Sequence, residues 1–268
     1  MINPEDLKLV VKQKYSDIAT QSKQQNSSSC CGAAGCCSDA DYTVFSDDYS
    51  NETGYLKDAD LGLGCGLPTS FADIKPGDHV LDLGSGAGND CFVARALTGD
   101  AGRVTGLDMT EVMVDLARQN NTKMGFSNIE FVLGDIESMP FETEEFNVVI
   151  SNCVLNLVPD KAKAFGEIYR VLKSGGHFCI SDVVISGNLP DKLKHDAEMY
   201  AGCVSGAMPM EQYLQVIHQQ GFRDIKVQKE KEIKLPDSLL LQYLSPDELS
   251  RYRIDRTGIF SITVTAFK

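Results

Sequence analysis

The residues best equipped for chemistry in this 268-residue chain are its nine cysteines. Four crowd into SSSCCGAAGCCSDAD as the doublets Cys30–Cys31 and Cys36–Cys37. That segment is too polar and small to bury its thiols as ordinary hydrophobes. Adjacent cysteines also place both thiolates on one tetrahedral zinc ion poorly, and zinc sites favour separated C-x₂-C pairs. An odd count cannot pair completely, and the opening MINPEDLKL lacks the basic flank and apolar run of a secretory signal, so a disulfide framework explains little. Soft-ion capture, thiol exchange and catalysis lead, with zinc as the lesser reading for the doublets. Cys65 lies between Gly64 and Gly66 in LGLGCGLP, where the backbone can bend to present a thiol; taken alone it reads as a buried turn cysteine. Cys153, in SNCVLNLVP, directly follows an extended apolar run.

A second centre of chemistry is the glycine turn VLDLGSGAGND, residues 80–90, with Gly84, Gly86 and Gly88. A dinucleotide fingerprint requires G-x-G-x-x-G, whereas Asn89 occupies the last of those positions here. Asp82, two residues before the first glycine, would repel a pyrophosphate and attract an ammonium or sulfonium group. The D-x-G-x-G-x-G pattern, with Ser85 inside it, resembles the first motif of class I S-adenosylmethionine-dependent methyltransferases.

These residues need a frame to hold them. Strand patterns at His79–Leu83, Arg103–Asp108, Ile129–Leu133, Phe146–Asn152 and His177–Ile185 alternate with helical patterns at Asn89–Leu97, Thr110–Met124 and around Phe165–Leu172. Such alternation predicts a parallel sheet with right-handed crossovers and helices on both faces. Ligands of such sheets lie at the carboxyl ends of the strands. Asp108 ends the second strand, 20 residues after Gly88, and suits the two hydroxyls of a ribose. Asp135, after the third strand, can accept from an adenine amino group, with Ile136 against the ring. Asn152 ends the fourth, under the reacting end of the ligand. Elsewhere a helix is predicted over 4–20, further helices around 190–201 and 209–220, and closing strands at Ile225–Ile233 and Gly258–Phe267. The LPDSLLLQYLSPDELSRYR stretch between those strands reads as helical. His79, His177, His195 and His218 show no metal-ligand or triad spacing and read as packing or surface residues.

A formal net charge of −13 argues against nucleic acid or an anionic membrane as partner. No apolar run approaches the roughly 18 residues of a membrane span. A cytoplasmic protein is therefore expected.

Five stretches carry a more specific resemblance: LGCGLP at 63–68, DMTEVMVDLAR at 108–118, SNCVLNL at 151–157, YAGCVSGAM at 200–208 and the closing SITVTAFK. Together they resemble the arsenite S-adenosylmethionine methyltransferase family over nearly the whole chain. The resemblance implies a Rossmann-like class I fold: a seven-stranded, mostly parallel sheet flanked by helices, with an N-terminal cysteine-rich segment and a C-terminal α+β extension. It implies a division at 1–70, 71–188 and 189–268. It makes Cys153, Cys203 and Cys65 the ligands of trivalent arsenic, joined by Cys37, and leaves the roles of Cys30, Cys31 and Cys36 open. Met109 joins the cofactor residues above. Leu63 departs from the family, some of whose members carry an aromatic residue there. The implied reaction is methylation of arsenite or its thiol conjugates, with thioredoxin or glutathione restoring the thiols. Two rival readings are a ubiquinone- or menaquinone-type C-methyltransferase, which gives no reason for Cys65, Cys153 and Cys203, and a non-catalytic thiol-rich metalloid-binding protein.

Overall fold

The computed structural model of the chain describes residues 4–20, 47–187, 206–234, 237–255 and 257–268. Seven strands form one sheet in the order β3-β2-β1-β4-β5-β7-β6. They are β1 (His79–Leu83), β2 (Arg103–Asp108), β3 (Ile129–Leu133), β4 (Phe146–Asn152), β5 (Leu172–Ser186), β6 (Arg223–Ile233) and β7 (Gly258–Phe267). The pairs from β3 through β5 are parallel, while β7 runs antiparallel to both β5 and β6. This is the expected Rossmann-like architecture with one reversed strand.

The period-two pattern of β1 divides its side chains between the two faces. Val80 enters a cluster with Phe92 and Ala94 of α2 (Asn89–Thr98) and Val114 and Ala117 of α3 (Glu111–Met124). Leu81 and Leu83 enter the opposite cluster, with Phe165 and Ile168 of α4 (Lys161–Val171) and Tyr213 and Ile217 of α5 (Met210–Gln219). Helices thus cover both faces, which explains why the central strands lack polar alternation. Full burial of a side chain such as Phe165 is worth roughly 1.5–3 kcal/mol.

Two strand starts differ from the sequence reading. β5 begins at Leu172 rather than His177, because Leu172 pairs with Phe146 before a register shift brings His177 opposite Val148. Gly175, at φ +78°, lies in the irregular stretch between those two pairs. β6 begins at Arg223, where pairing with Phe267 precedes another irregularity. The helix α1 (Pro4–Ala19) matches its prediction, and the stretch before β7 contains the short α6 (Asp237–Leu240) and α7 (Pro246–Ile254), the latter closed by a Ser245–Glu248 capping box. The predicted helix at 190–201 falls outside the described residues, as do His195, Cys203 and the four doublet cysteines. His79 packs against the Phe146 ring and His177 against the Phe267 ring, as packing residues do. Among the described residues no helix is long and apolar enough to cross a membrane.

Candidate active site

At the carboxyl end of β1 the chain turns sharply into α2. Gly84, Gly86 and Gly88 all have positive φ (+68°, +51° and +95°), a region that side chains with a Cβ rarely adopt. Gly84 carries a second constraint, because a Cβ there would stand 2.4 Å from Val154, just past the end of β4. The turn is pinned to β2: the N–H groups of Gly84 and Ser85 donate to the Leu107 carbonyl, and that of Gly86 to Asp108 Oδ2 at 3.0 Å. Asp108 Oδ1 accepts from the Thr110 N–H. The N-terminus of α2 then faces a cavity with its unpaired N–H groups and positive dipole end.

Most of the sequence-predicted cofactor residues line this cavity: Asp82, Gly84, Ser85, Gly86, Asn89, Asp108, Met109, Asp135, Ile136 and Asn152. Gly88 stands behind them, packed toward Phe131 and Phe92. Leu63 also lines the cavity, while aromatic walls come from Tyr15 of α1 and from Tyr49.

The cavity is acidic. Burial, reinforced by the charges of Asp90 and Asp108, pushes the Asp82 carboxyl well above its ordinary range, and its Oδ2 accepts from Cys91 Sγ at 3.2 Å. Asp90, in the first turn of α2, is pushed up to about 6, again chiefly by burial. Burial likewise raises Asp108, against the hydrogen bonds from Thr110 and Gly86. Each of these groups is destabilised as an anion until a cation enters. Asp135 behaves differently. Burial would raise it, but the hydrogen bond from Lys8 Nζ, with that of the Glu137 N–H and the Lys8 charge, holds it below the ordinary value.

Cys153 also lines the cavity, immediately after β4. Its φ of +63° places a non-glycine residue in the left-handed region, and its N–H is tied to the Ser181 carbonyl at 2.8 Å. Cys65 stands beside Gly64, a cavity residue, and is buried at 2% exposure, against 3% for Cys153. Both thiols belong to one apolar cluster with Val183, Ile185 and Ala207, Val183 and Ile185 lying on β5. Below them lies a pair that sequence reading missed. Tyr213 Oη donates to Asp182 Oδ2 at 3.0 Å, both side chains being fully buried. Burial, then the Asp182 charge, pushes the Tyr213 hydroxyl up, and the charges of Cys65 and Cys153 act in the same direction. Among the described residues no three His, Cys, Asp or Glu side chains converge as metal ligands, and Cys203 and Cys37 lie outside those residues.

Sequence reading also missed Tyr49 and Asp90. Tyr49 Oη donates to Asp90 Oδ1 at 2.8 Å, and the Asn152 amide joins both. No local pattern marks Tyr49; Asp90 sat inside the glycine turn, where its place in the first helical turn was the available signal.

Comparison with known proteins agrees with this geometry. Residues 74–233 match a family described as a methyltransferase domain. The chain is 40% identical over 242 residues to an arsenite methyltransferase of Halobacterium salinarum, covering 86% of this chain and 61% of that protein. It is 40% identical over 168 residues to the human arsenite methyltransferase, covering 59% of this chain and 44% of that one. The chain thus spans less than two thirds of the length of either relative. A crystal structure of an arsenic(III) S-adenosylmethionine methyltransferase from Chlamydomonas reinhardtii superposes with a TM-score of 0.65 at 35% identity, covering 76% of this chain and 67% of that one.

Proposed function

This chain belongs to the methyltransferase-domain family, on its arsenite S-adenosylmethionine methyltransferase branch, and we propose that it methylates trivalent arsenic held by its own thiols. The observation that carries the proposal is the burial of Cys65 and Cys153 in one apolar cluster, with Cys153 opening onto the acidic cavity.

The cavity fits S-adenosylmethionine on its own features. Ser85 Oγ and Asn89 Oδ1 are buried without a hydrogen-bond partner, and a Cβ on Gly86 would project into open space where a ligand can approach the backbone. Bound there, the cofactor supplies a methyl group on a cationic sulfur. Asp82, Asp90 and Asp108 favour that cation, since its arrival stabilises carboxylates that burial otherwise keeps from ionising. Asp108, at the end of β2, would take the ribose hydroxyls, and Asp135 with Ile136 would flank the adenine.

Thiolates are natural ligands for trivalent arsenic, which is soft. Two or three of Cys65, Cys153, Cys203 and Cys37, bound to the arsenic at one time, would leave it a lone pair directed at the cavity. That pair forms the As–C bond as the methyl–sulfur bond breaks and its electrons go to sulfur, so no proton need be removed. The protein then contributes orientation and exclusion of water, which can supply roughly 7–11 kcal/mol of a bimolecular barrier. Arsenic is oxidised from +3 to +5 in the step. Two protein thiols return it to +3 by forming a disulfide, and thioredoxin or glutathione reopens that bond.

The deciding experiment incubates the full chain with arsenite, glutathione and methyl-labelled S-adenosylmethionine. Labelled methylarsenicals are expected from the native chain and at least about 100-fold less from Cys153→Ser. Undiminished transfer by that variant would refute the assignment.

A further inference from the structure

Asn152 ends β4, and the next residue is Cys153. Its side chain faces away from that neighbour's backbone ties and toward a distant segment. Asn152 Oδ1 accepts from the N–H groups of Cys65 at 3.0 Å and Gly66 at 3.3 Å. Its Nδ2 is shared among the Gly66 carbonyl at 2.9 Å, Tyr49 Oη at 2.6 Å and Asp90 Oδ2 at 3.2 Å. On the other side of the same peptide, Ser261 Oγ of β7 donates to the Cys65 carbonyl at 2.6 Å. The backbone of Cys65 is therefore held at both its donor and its acceptor.

The flanking glycines are what permit this approach. A Cβ on Gly64 would stand 2.6 Å from Asn152 Nδ2, and one on Gly66 would stand 2.5 Å from Ser181 Oγ. Neither glycine has positive φ, so neither is required by backbone conformation. Close contact with β4 and β5 side chains is the reason for both.

We infer that Asn152 is a positioning residue for the Cys65 thiol, acting with Ser261 to fix where that thiol stands relative to Cys153. The inference rests on the reading of Cys65 and Cys153 as arsenic ligands. Two thiolates can share one ion only at a fixed spacing, and here that spacing runs through a single side chain: Asn152 holds Cys65 while its own peptide continues into Cys153. The Asn152 amide is thereby committed to the protein at both ends, while Asn152 also lines the cavity. Ser261 makes the same grip without lining the cavity, which separates positioning from cofactor contact.

The test uses the full chain with Cys30, Cys31 and Cys36 replaced by serine, so that the doublet cysteines outside the proposed ligand set do not bind the probe. Radiolabelled arsenite is dialysed to equilibrium against the cofactor-free protein, and the affinity for S-adenosylhomocysteine is measured separately by calorimetry. Asn152→Ala and Ser261→Ala are each expected to weaken arsenite binding about tenfold, and Ser261→Ala to leave S-adenosylhomocysteine affinity within twofold. Ser261→Thr, which keeps the hydroxyl, should recover most of the loss. If Asn152→Ala does not fold, the two Ser261 variants carry the test alone. Arsenite affinity unchanged in Ser261→Ala, or a loss matched by an equal loss of cofactor affinity, overturns the inference. Failure of the parent protein to bind arsenite at all would instead sink the assignment of the thiols, and this inference with it.

Discussion

Lys8 reaches Asp135 across 127 positions of sequence, its ammonium 2.6 Å from Oδ2, and also pairs with Glu137. The contact ties α1 to the segment after β3 at one side of the cavity, where Lys8, Val11 and Tyr15 form part of the wall. Replacing the ammonium leaves Glu137, whose side chain is 7% exposed, short of a charge partner, though the Asp160 N–H still serves it. Lys8→Met is expected to cost about 1 kcal/mol in urea denaturation. Hydrogen exchange should show protection lost in α1 while β1 and β4 keep theirs. Equal loss across the sheet would refute a local role for the contact.

Gly86 offers a cleaner separation of binding from folding. Its φ of +51° makes alanine cost about 1–2 kcal/mol, and the added methyl meets no protein atom. Gly86→Ala should therefore remain folded and lose cofactor affinity at least about tenfold by calorimetry. Gly84→Ala, which must displace Val154, should instead be recovered in low yield.

Stability should fall as pH rises from about 4 to about 6. Asp90 and Asp182 are each raised from an ordinary 3.8 to about 6, chiefly by burial. Between those values the folded chain keeps protons that the unfolded chain has released, so their contribution is full below the lower value and lost through the upper one. Thermal midpoints of the cofactor-free protein across pH 4–7 would show the decline, and Asp182→Asn should flatten it. The stabilisation added by S-adenosylmethionine should grow over the same range, because its cation favours ionised Asp90.

Tyr213→Phe tests the buried pair beneath the thiols. Loss of the hydroxyl removes a donor that helps Asp182 ionise. The variant should lose about 1–3 kcal/mol in chemical denaturation. The loss should be greater at pH 8 than at pH 5, since Asp182 must ionise without that donor. A pH-independent loss would mean that the tyrosine contributes packing alone.

The sheet was legible because each central strand is buried on both faces and is followed by a helix with its own period. The acids at the strand ends were legible for the same reason: once the strands are placed, topology locates Asp82, Asp108 and Asp135. Strand starts were less so, since β5 pairs first at Leu172 and resumes with β4 only at His177, across a register shift that no local pattern marks. What the sequence hid were partnerships across long separations. Tyr49 meets Asp90 and Asn152, Tyr213 meets Asp182, and Ser261 meets Cys65, all common residue types with no local pattern to mark them. Asn152 was expected at the end of β4 and lies there, but its partners depend on a loop that only the folded chain brings to β4.

The grip of Ser261 on Cys65 joins residues 196 positions apart. Its strand is the last of the seven in the chain, yet it inserts between β5 and β6 rather than adding at an edge. The half of the sheet that carries the glycine turn can pair locally, early in folding, while the thiol's second tether waits for this late, non-local closure. Until β7 slots in, the Cys65 peptide lacks its carbonyl anchor. On the proposed reading of Cys65 as an arsenic ligand, a chain without β7 would hold that thiol by one tether, so tight arsenite capture should require the completed sheet.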